Sequence, residues 1–204
     1  MRYNPDGAFY QFMTGAASFI GLNVLFLITC LPVFTIGTAL ASLYTVTMQE
    51  ARGDTSYIFS DYLKAFKKNF FQSTAAFLLH LVLSLILLYN IVFWGAQHTI
   101  TGNILLVLMA LLGMILILSF LYTYPLIARF SNTLKQTLKN SVLLALMNMR
   151  QTLILIVLQA TFLGFCLAVS QAKIFMLLIG FAILAYFNSR IMVKVFTPYE
   201  SSEA

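Results

Sequence analysis

Residues 7–49 read GAFYQFMTGAASFIGLNVLFLITCLPVFTIGTALASLYTVTMQ, a run of 43 residues without a formal charge between Asp6 and Glu50. A helix needs only about 20 apolar residues to cross a hydrocarbon core about 30 Å thick, so the run is about twice one crossing. A break is required, and the sequence supplies it at Leu31-Pro32-Val33-Phe34-Thr35-Ile36-Gly37. Pro32 removes one backbone hydrogen bond and its ring clashes with the preceding turn, while Gly37 loosens the turn that follows. Two readings result. Either one long helix over residues 14–48 is kinked at Pro32, or two limbs, 15–31 and 33–48, pack as a re-entrant hairpin. Phe9, Tyr10 and Phe12 are expected at the membrane interface before the first helix.

Composition extends this to the whole chain. Hydrophobic residues make up 61% of the 204 and charged ones only 9%, against about 25% charged in soluble domains. So few charges cannot cover a soluble globule, but they suffice for short connections between spans. The formal charge of +6 does not point to nucleic acid, because the basic residues stand in short blocks flanking apolar runs, where they orient a chain in a bilayer. The N-terminus lacks the plan of a cleaved signal peptide, with Asp6 close behind Arg2 and an apolar run that is too long. The first segment is expected to remain in the mature protein. Cys30 and Cys166 lie inside apolar stretches and read as small buried hydrophobes.

Beyond Glu50 the pattern alternates. Gly53-Asp54 reads as a turn and Thr55 or Ser56 as a helix cap. Ile58, Phe59, Tyr62, Leu63 and Phe66 then recur on one helical face, with Asp61, Lys64, Lys67 and Lys68 on the other. This spacing predicts an amphipathic helix lying in the membrane surface and touching lipid or a partner. A second span over 70–94 follows, ending in an aromatic belt of Tyr89, Phe93 and Trp94. A third is expected over 103–128. A basic segment, 129–150, carries Arg129, Lys135, Lys139 and Arg150, and its latter half is again amphipathic, with Leu138, Val142, Leu143, Ala145, Leu146 and Met149 on the apolar side. Spans over 151–170 and 174–195 complete the count. The expected fold is an all-α polytopic transmembrane bundle of about five spans, one integral membrane domain over 1–197 with a short tail, 198–204.

Lys and Arg set the orientation. Four lie in each of the connections after spans one and three and two in the stretch from Arg190 onward, leaving only Arg2 and Lys173 opposite. Those ten-bearing segments, including the C-terminus, are expected to be cytoplasmic in a multi-pass protein of a bacterial cytoplasmic membrane. A hairpin over 14–48 would place both termini there.

Little in the chain suggests chemistry. The six acids, Asp6, Glu50, Asp54, Asp61, Glu200 and Glu203, all lie outside the spans, whereas ion-coupled carriers usually bury ionisable groups on their pathway. His80 is the titratable group in mid-span; it reads as a neutral histidine hydrogen-bonded to backbone or Ser84, with a proton relay as the alternative. His80 and His98, eighteen apart and without a Cys or carboxylate at ligand spacing, make no metal site. The chain contains no Gly-rich phosphate loop, no Gly-x-Ser-x-Gly elbow and no His-Glu-x-x-His pair. Neither enzyme activity nor a cofactor is expected. Asn23, Asn90, Gln159 and Asn188 are uncharged polar residues within spans, suited to lining a path or to joining helices. Gly37, Ala41 and Thr45, with Thr38 and Ser42, form small-residue faces for close approach of another helix, in this chain or in a partner.

The Leu31-Pro32-Val33-Phe34-Thr35-Ile36-Gly37 stretch is followed by Ala39, Leu40 and Tyr44, then by Arg52-Gly53-Asp54 and Phe66-Lys67-Lys68-Asn69-Phe70. In these residues the chain resembles the YesL-like family of small bacterial membrane proteins of unknown function. Length and span layout agree over nearly the whole chain, and the distinctive residues fall between Asn23 and Ser73. The resemblance implies an accessory role in sugar uptake, because members are generally encoded beside carbohydrate ABC importers and glycan-degrading enzymes. It carries over no functional residues. The chain lacks the Glu-Ala-Ala loop by which importer permeases dock their ATPase, which argues against a permease subunit. The leading expectation is an accessory, non-catalytic membrane protein whose partners are lipid and permease or ATPase subunits, or further copies of itself. The alternative is a small self-sufficient transporter or channel for a neutral solute.

Overall fold

A computed structural model of the chain describes residues 8–54, 57–97, 99–169 and 172–200. The helices are α1 (Ala8–Cys30), α2 (Ile36–Arg52), α3 (Ile58–Gly95), α4 (Ile100–Arg129), α5 (Leu134–Met147) and α6 (Met149–Ala168). A last rod is made of α7 (Ala172–Phe175), a π-helical segment (Met176–Gly180) and α8 (Phe181–Glu200). Five of these are long and apolar enough to cross a membrane: α1, α3, α4, α6 and the α7–α8 rod. The caps Thr55 and Ser56, together with His98 and residues 201–204, lie outside the described residues, as do the side chains of Phe9, Tyr10 and Phe12.

The long run does not form one kinked helix. It divides at Leu31–Thr35, where a single 3₁₀ turn (Val33–Thr35) separates α1 from α2. The single hydroxyl proton of Thr35 is shared between the carbonyls of Thr29 and Pro32, each 2.6 Å from Oγ1, and so takes up the Thr29 carbonyl that the break frees. The two limbs fold back on each other. Along α8, Phe181 and Tyr186 meet Phe26 and Phe19 of α1, while Asn188 and Ser189 meet Tyr44 and Thr47 of α2. One short stretch of α8 therefore passes both limbs, so α1–α2 is a helical hairpin. Seventeen residues long, α2 is a sixth, interior helix, and most of its side chains are buried.

The surface helix expected around Asp61 is likewise not a separate element. It is the start of α3, which runs unbroken for 38 residues, or about 57 Å at 1.5 Å per residue. No Gly or Pro occurs between Ile58 and Trp94, and a helix propagates at little cost once nucleated. Part of the apolar face of its first turns is used by the protein. Tyr62 is fully buried and its hydroxyl meets that of Thr29 at 2.6 Å, and Ile58 and Phe66 pack on the core. Phe59 and Leu63 remain exposed.

Small residues set the closest packing. A Cβ at Gly37 would overlap the Ser73 carbonyl and stand 2.6 Å from Phe77 Cβ, and Ala39, Ala41 and Ser42 are completely buried. The small-residue face of α2 is thus consumed inside the molecule. At the other end of α2, Gly53 adopts φ +79° and Asp54 N–H returns to the Gln49 carbonyl at 3.1 Å. This is the left-handed stop that glycine makes without strain.

Polarity is distributed as in a membrane protein. Asn23, Thr38, Ser73, His80, Thr123 and Asn188 are buried, while Leu85, Ile86, Val107, Ile117, Val157 and Leu177 are more than half exposed. Lipid accepts an aliphatic surface that water would not, and most of these interior polar side chains bond to other helices, although the Ser73 hydroxyl has no partner among the described residues.

Candidate functional site

Among the polar contacts of the described interior, three arrangements are candidates for a site. The first joins α3, α4 and α5: His80 Nδ1 lies 2.8 Å from the Ala76 carbonyl, its Nε2 lies 3.3 Å from Ser119 Oγ, and Ser119 Oγ meets Ser141 Oγ at 2.9 Å. The expected backbone bond is present, to Ala76, and the side-chain partner is Ser119 on the next helix, not Ser84. With both ring nitrogens occupied by neutral groups, this histidine fastens helices together.

The second explains the π-helical segment. Asn23 Nδ2 donates to the carbonyls of Met176 at 3.2 Å and Leu177 at 2.8 Å, and Asn23 Oδ1 accepts from Ala182 N–H at 3.0 Å. The side-chain amide is inserted into the ladder of the α7–α8 rod like an extra peptide. Such an insertion supplies the bonds that the wider π turn gives up.

The third is a cavity of ≈ 200 Å³ where α2, α4, α6 and α8 converge. Tyr44, Tyr124, Gln159 and Asn188 line it, along with Phe120, Leu121 and Phe181. Asn188 Nδ2 donates to the Tyr44 hydroxyl at 3.2 Å. Asn188 Oδ1 and the Tyr124 hydroxyl are closed off from solvent and have no hydrogen-bond partner among the described residues, an arrangement that costs about 1–3 kcal/mol per group. A larger, mainly apolar cleft of ≈ 600 Å³ among α3, α4 and α6, with His80 and Ser84 in its wall, shares Phe120, Leu121 and Gln159 with this cavity. Helices α4 and α6 are pinned by the Tyr122 hydroxyl, 2.8 Å from Thr152 Oγ1. Beyond that pin the cleft separates them. No residue lining either space is charged.

The residues singled out by sequence separate into different roles. Pro32 stands at the hairpin turn and Gly37 at the closest approach of α2 to α3. Asp61 is a local cap: its carboxylate accepts from Tyr57 N–H at 2.9 Å and from Lys64 Nζ at 3.4 Å. Lys64, Lys67 and Lys68 are exposed. Asn90 is half-buried and bonds to its own helix at Ile86, whereas Asn23 and Asn188 join helices and Gln159 lines the cavity. Cys30 and Cys166 carry free thiols. The hydroxyls of Tyr44 and Tyr124 were not legible as site groups, since each comes from a different helix with no local pattern.

A family model described as "Protein of unknown function, DUF624" matches residues 19–91. That stretch takes in the α1–α2 hairpin from Phe19 onward and α3 as far as Ile91. It is compatible with the resemblance drawn from the residues around Pro32. No curated protein and no solved structure gives a significant match.

Proposed function

We propose that this protein is an accessory, non-catalytic subunit of a bacterial cytoplasmic membrane, associated with a carbohydrate-importing ABC system and holding its basic segments in the cytoplasm. The observation that carries the reading is the exposed row Lys64, Lys67 and Lys68 on a helix that Ile58, Tyr62 and Phe66 fix against the rest of the protein. A helix serving only as a lipid anchor would turn those three outward as well. The matched hairpin–α3 unit bears this row, and the family resemblance supplies the class of partner.

The orientation is supported by contacts that draw the basic segments to one end of the bundle. Gln72 Nε2 donates to the Asn132 carbonyl at 2.8 Å, and Phe130 packs on Phe196 at 5.5 Å between ring centroids. A hairpin returns the chain to the side on which it began, so both termini fall on the cytoplasmic side under the Lys/Arg rule.

The test is affinity capture of the tagged protein in mild detergent, with quantitative identification of what accompanies it. Permease and ATPase subunits in near-equal amounts support the proposal, and Lys67→Glu with Lys68→Glu should release them while membrane levels stay constant. The second reading, a self-sufficient carrier for a neutral solute, draws on the uncharged cavity beside Tyr124. Solute flux through the purified protein in liposomes, with no co-purifying subunit, would replace the accessory reading.

A further inference from the structure

We infer that the outward stripe of α5 binds an anionic phospholipid, with the phosphate at Lys135 and Lys139 and an acyl chain along Leu143 and Leu146. The inference is independent of the partner reading, which rests on the lysines of α3.

Helical spacing makes the stripe. Lys135, Lys139, Leu143 and Leu146 recur at intervals of four and three residues, so they share one side of α5, and all four are exposed. The opposite side is fixed to the bundle: Thr137 is 3.2 Å from Gln72 of α3, and Ser141 is 2.9 Å from Ser119 of α4. Those contacts set the direction of the helix. Gln72 stands one turn beyond Lys68, at the start of the apolar part of α3, whereas Ser119 reaches His80, two turns farther along. Val142 likewise lines a groove with Leu79 and Leu83. The lysines of α5 therefore lie nearest the headgroups and its leucines farther in. From Lys135 to Leu146 the stripe is about 16 Å long at 1.5 Å per residue, the scale of one lipid in one leaflet of a core about 30 Å thick.

Charge and polarity specify the occupant. Residues 129–150 carry four cations and no acid, and among the described residues no carboxylate pairs with Lys135 or Lys139. The start of α3 differs, since Asp61 stands beside Lys64 there. A headgroup with net negative charge complements the two lysines, whereas a zwitterionic one brings a cation of its own. A groove of ≈ 290 Å³ beside the stripe repeats the gradient, with Asn132, Gln136 and Asn140 in one part and Leu143, Leu144 and Met147 in the other. The amide side chains can donate to phosphate and glycerol oxygens. A soluble acidic segment would cover the lysines and leave the leucines, so a molecule charged at one end and apolar beyond it fits the whole stripe.

The experiment is native mass spectrometry of the purified full chain, titrated in detergent with phosphatidylglycerol or phosphatidylcholine. Tighter binding of phosphatidylglycerol is expected. Lys135→Gln with Lys139→Gln should weaken it about 25-fold, roughly fivefold per lysine, the equivalent of about 1 kcal/mol apiece near an anionic surface. Lys64→Gln with Lys67→Gln removes the same charge from α3 and should leave it nearly unchanged. In nanodiscs, phosphatidylglycerol bearing a diazirine on its acyl chain should label peptides from residues 143–149, and the α5 double variant should lose that labelling. Equal binding of the two lipids, equal losses from the α3 and α5 variants, or labelling spread evenly over the lipid-facing surface would overturn the inference. So would competition by glycerol phosphate as effective as that by the lipid, which would make this a site for soluble anions. Release of captured transport subunits by the α5 variant with its lipid retained would make the stripe a protein contact and overturn it too. Capture by the unaltered chain is measured separately, so failure here leaves the partner proposal standing.

Discussion

Replacing Gly37 by Ala tests whether the α2–α3 contact is as close as its geometry requires. The new methyl carbon would stand 2.6 Å from Phe77 Cβ, 3.1 Å from Tyr124 Cε1 and against the Ser73 carbonyl. Carbon atoms in contact sit about 3.5–4.0 Å apart, so α2 and α3 must separate by about 1 Å. Neither Phe77 Cβ nor the Ser73 carbonyl is the end of a flexible side chain, so the backbone has to move. Overpacking of this kind costs about 1–3 kcal/mol. The matched control is Gly113→Ala in α4, where an added Cβ has nothing within 4 Å. There Ala gains up to about 1 kcal/mol in helix propensity. The expected result is a lower unfolding temperature for Gly37→Ala and an unchanged or higher one for Gly113→Ala. The variants are compared in the same detergent, following loss of the monodisperse peak after heating. Equal stability of the two would refute the close packing of α2 on α3 and the interior role assigned to the small-residue face.

Tyr124→Phe should leave thermal stability in detergent unchanged or raise it by up to about 1–3 kcal/mol, because it deletes a buried hydroxyl that has no protein partner; a clear loss would mean that the hydroxyl is bonded within the protein. Asn23→Leu removes three hydrogen bonds from the π-helical segment and should speed amide exchange at residues 176–182 while α4 keeps its protection. Thr152→Val deletes the Tyr122 contact that pins α6 to α4 and should destabilise by about 1 kcal/mol, given the values typical of hydrogen bonds between membrane helices; thermal unfolding checks it. In a background without Cys30 and Cys166, single cysteines at Lys64 and Gln136 should resist an impermeant thiol reagent on intact cells and react after permeabilisation. Labelling of either position on intact cells would reverse the orientation.

The division of the fold between legible and hidden follows from what each residue needs to know. Pro32 announces its effect locally, because a missing N–H and a ring clash act within one turn, so the break and its position were readable. Whether the chain then continued or turned back depended on α8, whose Asn188 and Ser189 lie more than 140 residues beyond Tyr44 and Thr47. No local spacing reports that. The change from charged to apolar sequence near Phe70 suggested two elements, but a change of environment along one helix gives the same signal. Only the lack of any breaker between Ile58 and Trp94 distinguishes them. Asp61 illustrates the same limit: its i+3 spacing to Lys64 was visible, whereas its bond to Tyr57 N–H, which makes it a cap, depends on where the helix begins. For the cavity, Asn188 and Gln159 were visible as polar residues in apolar spans, but their convergence with Tyr44 and Tyr124 required the assembled bundle.

The α5 helix shows what holds such a bundle together. Its hydroxyl side, Thr137 and Ser141, is fully buried, while Leu143, Leu146 and Met147 face outward, the reverse of a helix in water. Lipid makes the outward leucines neutral, so their burial cannot drive assembly. Ser141 meets Ser119 at 2.9 Å and Thr137 meets Gln72 at 3.2 Å, yet such bonds average only about 0.6 kcal/mol in membrane proteins. A few of them cannot alone fix the positions of six long helices. The remainder has to come from dispersion at close range, which falls steeply over half an ångström. Close range in turn depends on the residues with least side chain, Gly37, Ala39 and Ala41, on the helix that lies innermost. The hydrogen bonds then choose the register within a contact that the small residues permit, which is why the geometry at Gly37 is the sharpest test of the fold.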